Sequence, residues 1–152
     1  MEEADRGRGL KRYIVSKIVK IGPVPFSQFM EWCLYHPEFG YYGAGKADIG
    51  KEGDYYTAPS VHALFGHLIA KQLLQMAEIL QGNSFDIFEM GGGKGYLCSD
   101  ILTWVKKKAP GFYHRLHYYL LETSSSFLGE QKQRLADYEK EGKVCWIDSE
   151  GF

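Results

Sequence analysis

Phe85-Asp86-Ile87-Phe88-Glu89-Met90-Gly91-Gly92-Gly93-Lys94-Gly95 is the stretch that decides the fold. Its first six residues read as a short, buried strand. The glycines after Met90 read as a tight loop, and residues 96–108 carry helical spacing. The rhythm then repeats, with a strand over 116–122, a helix over 124–141 and a strand over 144–147. Strand, helix, strand, helix, strand predicts an α/β fold with about three parallel strands joined by crossovers.

Working toward the N-terminus, residues 60–80 form a long apolar helix pattern. Ser60 is its expected N-cap, and Val61, Leu64, Phe65, Leu68, Ile69, Leu73, Met76 and Leu80 form its stripe. His62 and His67 are five apart, on different helix faces, which argues against a metal pair. Residues 37–59 make a loop of about 23 residues, rich in Gly, Tyr and Asp; loops of that length are commonly functional. Residues 26–36 predict a helix capped by Ser27, with Phe29, Met30, Cys33 and Leu34 as its buried stripe and Pro37 as its stop. Leu10, Ile14, Ile18 and Ile21 lie at helical spacing among Lys and Arg, which predicts a basic amphipathic helix ended by Gly22-Pro23. Packing within its own domain is favoured over a membrane role for so short a helix. Residues 1–9 are expected to fray. The expected division is 1–84, a helical segment with a Gly/Tyr-rich loop, and 85–152, the sheet domain.

Composition sets outer bounds. The 152 residues are 45% hydrophobic and 24% charged, enough for one folded core. Lys+Arg number 18 against 19 Asp+Glu, a net charge of -1, so no nucleic-acid partner is expected. Cys33, Cys98 and Cys145 are odd in number and irregular in spacing, which suggests neither a disulfide framework nor a zinc site. No apolar run reaches about 18 residues, so no membrane span is expected. The acidic start has no apolar core of a signal peptide.

The glycine loop falls where α/β proteins bind ligands, beyond the carboxyl ends of parallel strands. Glycine permits positive φ and close approach of backbone to ligand, and the helix after it offers N–H groups and a positive dipole end. A Walker A loop needs glycine at position 96, where Tyr96 stands; G-x-G-x-x-G fails at the same place. What remains is G-x-G-x-G with Glu89 two residues before it. That acid repels a pyrophosphate but suits an ammonium group. S-adenosylmethionine (SAM) combines an ammonium and a carboxylate in its methionine part. Glu122, ending the second strand, can accept both ribose hydroxyls. Asp148, after the third strand, is a weaker candidate for the adenine amino group.

These residues resemble the class I SAM-dependent methyltransferases. Upstream strings narrow the resemblance: Phe26-Ser27-Gln28-Phe29-Met30-Glu31, Leu34-Tyr35-His36-Pro37-Glu38-Phe39-Gly40-Tyr41-Tyr42, and 49–60 followed by Leu64-Phe65-Gly66. They are similar to the MidA-type methyltransferases, whose mitochondrial members are the complex I assembly factor 7 proteins. The resemblance runs from about residue 10 to 150. It implies a Rossmann-like fold, SAM as cofactor, and symmetric dimethylation of an arginine in a complex I subunit. The location implied is the mitochondrial matrix, or the cytoplasm in a bacterium. The family's cofactor pattern maps onto Glu89, Gly91, Gly93, Gly95 and Glu122, with Gly92 in the same loop. Its Gly-Asp-aromatic-Tyr-Thr-x-Pro segment maps onto Gly53, Asp54, Tyr55, Tyr56, Thr57 and Pro59, implying that Tyr56 and Thr57 lie over the cofactor.

Family members are more than twice as long. The chain is therefore expected to be an N-terminal fragment, a truncated form or an incomplete gene model, with an exposed edge on strand 85–90 that favours self-association. Arginine methylation needs carboxylates to orient a protonated guanidinium and take its proton. Glu52 and Asp54 are candidates without a convincing pairing. Two alternatives stay open: a non-catalytic assembly module that keeps the fold, and an NAD-binding oxidoreductase half-domain, which Tyr96 and Glu89 disfavour.

Overall fold

The structure is a computed structural model, and it describes residues 3–45, 47–50 and 53–148. The chain divides into two compact units, residues 1–47 and 48–152. The helix over 64–80 thus falls with the sheet, although the sequence suggested a division after residue 84.

In the first unit, α1 spans Glu3–Ile21 and α2 spans Phe26–Tyr35. Helix α1 begins well before Leu10, so residues 3–9 are not frayed. Tertiary packing explains this: Gly9 lies against the Phe39 ring, where a Cβ would come within 2.7 Å of Cε1. Further along, Tyr13 meets the rings of Trp32 and His36 edge-on. Gly22, at φ 85°, closes the helix by donating its N–H to the Ile18 carbonyl at 2.8 Å. The N-cap of α2 is Pro25, whose ring fixes φ, rather than Ser27. Phe29, Met30, Cys33 and Leu34 are half-buried, so the expected buried stripe is only partly covered.

In the second unit, α3 spans Ala58–Val61 and α4 spans Leu64–Leu80. The single helix expected from Ser60 is two. Ser60 lies inside α3 and bonds back to the Thr57 backbone, N–H to Oγ at 2.9 Å, as in a capping box. His62 is extended, and its Nδ1 accepts the Leu64 N–H at 2.9 Å. Then follow β1 (Phe85–Met90), α5 (Tyr96–Lys108), α6 (Pro110–Arg115), β2 (Leu116–Leu121), α7 (Ser125–Lys140) and β3 (Val144–Ile147). Helix α6 was not foreseen; it opens on Pro110, a favourable first helical residue.

The strands form one parallel sheet in the order β1-β2-β3. Phe85 pairs with Leu116 and Met90 with Leu121; Tyr118 pairs with Val144 and Leu121 with Ile147. This register stacks Leu116, Tyr118, Leu120 and Val144 on one face. They share a core with Cys98, Ile101, Leu102 and Val105 of α5, and with Ala70 and Ala77 of α4. On the other face Phe88 stacks on Tyr119 at 4.8 Å, and both Phe88 and Met90 are exposed. All three strands end together at the side where the glycine loop lies.

Candidate functional site

The loop between β1 and α5 is built by its glycines. Gly91, Gly93 and Gly95 have φ of 67°, 53° and 75°, which L side chains rarely adopt. Packing adds a second demand. A Cβ on Gly92 would stand 3.1 Å from Leu120 Cδ2 and 3.3 Å from Glu89 Cδ. One on Gly93 would stand 3.1 Å from Ile49 Cδ1, while one on Gly91 would meet open space. The loop is therefore held from below by the sheet and from above by Ile49, with room at its outer turn. Ile49 is positioned by a backbone bridge to Tyr55, and Lys94 reaches Asp48 with an Nζ–Oδ1 distance of 2.7 Å.

A cleft of about 260 Å³ opens there. It is lined by Ile49, Tyr55, Thr57 and Pro59 on one side and by Glu89, Gly91, Gly92, Gly93, Lys94, Tyr96 and Leu97 on the other. Among the described residues Glu89 is the only acid in that lining. Its Oε2 accepts the Tyr118 hydroxyl at 2.7 Å. Burial pushes its carboxyl above the usual range, the Tyr118 bond opposes this, and the charge of Glu122 adds to the rise. Burial also pushes the Cys98 thiol well up, helped by Glu89, so Cys98 is a core residue rather than a nucleophile.

The expected site residues occupy three kinds of place. Glu89, Gly91, Gly92, Gly93 and Thr57 line the cleft. Gly95 lies beneath it, as the N-cap of α5, and Glu122 follows the end of β2. Glu122 is oriented: Oε1 accepts the Ser124 N–H at 2.9 Å and Oε2 accepts Gln131 Nε2 at 3.2 Å. Tyr56 is 70% exposed and outside the lining, where Tyr55 stands instead. Asp54 and Asp148 are exposed and also outside it, and Glu52 lies outside the described residues. Sequence reasoning passed over Tyr118, Lys94 and Gln131. Gln131 had a legible signal: with Phe127 and Leu135 it falls at i, i+4 spacing on the buried stripe of α7.

A parallel sheet with a glycine loop at the end of its first strand, opening a helix, defines a Rossmann-like ligand-binding domain. Comparison with known proteins agrees and is more specific. The model of a family described as "Putative S-adenosyl-L-methionine-dependent methyltransferase" matches residues 68–151. The chain belongs to this family. A Caenorhabditis elegans protein named protein arginine methyltransferase NDUFAF7 homolog, mitochondrial, is 30% identical over 140 residues, covering 89% of this chain and 32% of that protein. The Bos taurus protein arginine methyltransferase NDUFAF7, mitochondrial, is 33% identical over 92 residues, covering 60% of this chain and 21% of that one. A crystal structure of a COG1565 superfamily member from Burkholderia thailandensis, bound to S-adenosyl-homocysteine, superposes with a TM-score of 0.80 at 26% identity. It covers 95% of this chain and 38% of that one. The matched part thus spans between about a fifth and two fifths of the length of these relatives.

Proposed function

We propose that this chain binds SAM in the cleft above the glycine loop and serves as the cofactor-binding part of a protein arginine methyltransferase. The observation that carries the reading is the cradle itself: a loop with Gly91, Gly93 and Gly95 at positive φ, tightly packed at Gly92 and Gly93, and flanked by carboxylates at the ends of two adjacent strands. The residues fit the cofactor. The loop and the first turn of α5 would receive its carboxylate through N–H groups and the helix dipole. Ionised Glu89 would accept its ammonium, and Glu122 its ribose hydroxyls. Bound SAM supplies an electrophilic methyl group on a sulfonium. The chain's part is to hold it and exclude water, with Ile49, Tyr55 and Pro59 forming the apolar wall.

The relatives' names extend the proposal to an arginine of a protein as the acceptor and to a mitochondrial setting; the family resemblance adds symmetric dimethylation of a complex I subunit during assembly of that complex. The single acid in the described lining also favours a second reading, in which this chain binds the cofactor without acceptor chemistry of its own. The outer edge of β1, which no described strand pairs, is proposed as a site of self-association.

Calorimetry with SAM, S-adenosylhomocysteine (SAH) and NAD tests the reading. Heat is expected with the first two and none with NAD, and Gly93→Val is expected to abolish it. A folded chain that gives no heat with SAM or SAH overturns it. Binding without methylation of an arginine peptide selects the second reading.

A further inference from the structure

Gln131 of α7 is fully buried at 0% exposure, and each of its polar atoms is engaged by a different part of the ligand-bearing edge. Trp146 Nε1 of β3 donates to its Oε1 at 2.9 Å. An indole N–H can only donate, so the amide cannot flip. Its Nε2 therefore faces the other way, donating to the Gly93 carbonyl at 2.8 Å and to Glu122 Oε2 at 3.2 Å. The two amide hydrogens thus tie the glycine loop after β1 to the carboxylate after β2, with β3 as the anchor.

The loop is shaped to this side chain. A Cβ on Gly95 would lie 3.3 Å from Gln131 Cγ, and one on Gly92 would lie 3.4 Å from Nε2. Glu122 has about four acceptor sites on its two oxygens; Ser124 N–H and Gln131 each occupy one. Their directions leave the carboxylate fixed, with capacity for two more donors.

We propose that Gln131 is a positioning residue for the ribose subsite: it sets the orientation of the Glu122 carboxylate and registers it against the glycine loop, so that a vicinal diol is gripped by both oxygens. This rests on the cofactor reading above. It makes Gln131 a determinant of ribose recognition rather than only a buried link between helix and sheet.

The distinguishing measurement is a ratio. Affinities for SAH and for its 2′-deoxyribose analogue are measured by calorimetry on the wild-type chain and on Gln131→Met, which keeps the volume and removes the amide. The wild type is expected to prefer SAH. In Gln131→Met that preference falls about tenfold, the order of one hydrogen bond to a charged group, while the deoxy analogue binds nearly as before. Trp146→Phe keeps Gln131 but frees its amide to turn, and serves if Gln131→Met does not fold; a smaller fall of the same sign is expected. Equal losses for both ligands, or an unchanged preference in the folded variant, overturn the proposal and leave the cofactor reading standing. A folded wild-type chain that binds no SAH overturns both.

Discussion

Helices α4 and α5 pack against each other and make opposite use of their side chains. Helix α4 is the richer in large apolar residues, yet its buried positions are Gly66, Ala70 and Ala77. Ile79 and Leu80 are 80% and 70% exposed, and Leu64, Phe65, Leu68 and Met76 are exposed as well. Helix α5 carries more charge but buries Cys98, Ile101, Leu102 and Val105. The fully buried positions of α4 are set by closeness of approach, while Ile69, Leu73 and Leu74 pack half-buried against the same core. A Cβ on Gly66 would stand 2.5 Å from Asp100 Cβ, so the two helices meet through a residue with no side chain. The large side chains of α5 then fill the space between helix and sheet.

The largest expected effect comes from the α5 side. Leu102→Ala, at a position with 0% exposure, is expected to cost about 2–5 kcal/mol in chemical unfolding, the range for deleting a buried leucine. Gly66→Ala should cost about 1–3 kcal/mol by wedging α4 from α5, unlike an ordinary exposed helical Gly→Ala, which stabilises. A stabilised Gly66→Ala would break the close-approach argument.

Glu89→Gln sharpens the contrast between stability and ligand binding. The native carboxyl holds its proton to higher pH than the unfolded chain does, since burial raises it from 4.5. The native state therefore binds more protons than the unfolded state in that window, and wild-type stability falls as pH rises through it. Glu89→Gln should lack this slope, so its thermal midpoint relative to wild type should climb from about pH 4.5 upward, while SAM affinity drops. A parallel pair of pH profiles would remove burial as the cause. The smallest effect belongs to Leu68→Ser on the outer face of α4, expected within about 0.5 kcal/mol of wild type and with improved solubility. A loss comparable to that of Leu102→Ala would show that the outer face of α4 is core after all.

These particulars explain what the sequence made legible. The β1–loop–α5 unit could be read because three local signals coincide there: a short apolar run, glycines that permit positive φ, and a change of period. The break between α3 and α4 could not, because Val61, Leu64, Phe65 and Leu68 keep helical spacing straight through His62 and Ala63. The stripe of α4 predicted a helix and part of its buried face, since Ile69 and Leu73 pack on the core; it missed Gly66, Ala70 and Ala77, because periodicity does not register a partner that needs glycine and alanine. At the site, Glu89 and the glycines were readable from position in the motif. Gln131 was not singled out, because glutamine is ordinary on a helix surface; only its place between Phe127 and Leu135 on a buried stripe distinguishes it.

The Lys94–Asp48 contact joins the glycine loop to the segment that carries Ile49. Lys94 lines the cleft and Asp48 does not, and the Asp48 side chain is 58% exposed, which puts the contact in the class of surface ion pairs contributing about 0–1 kcal/mol. The ion pair thus adds little to a loop that the sheet already supports from below. Added salt is expected to screen that pair while the glycine loop, held by backbone geometry and by the sheet beneath it, stays in place.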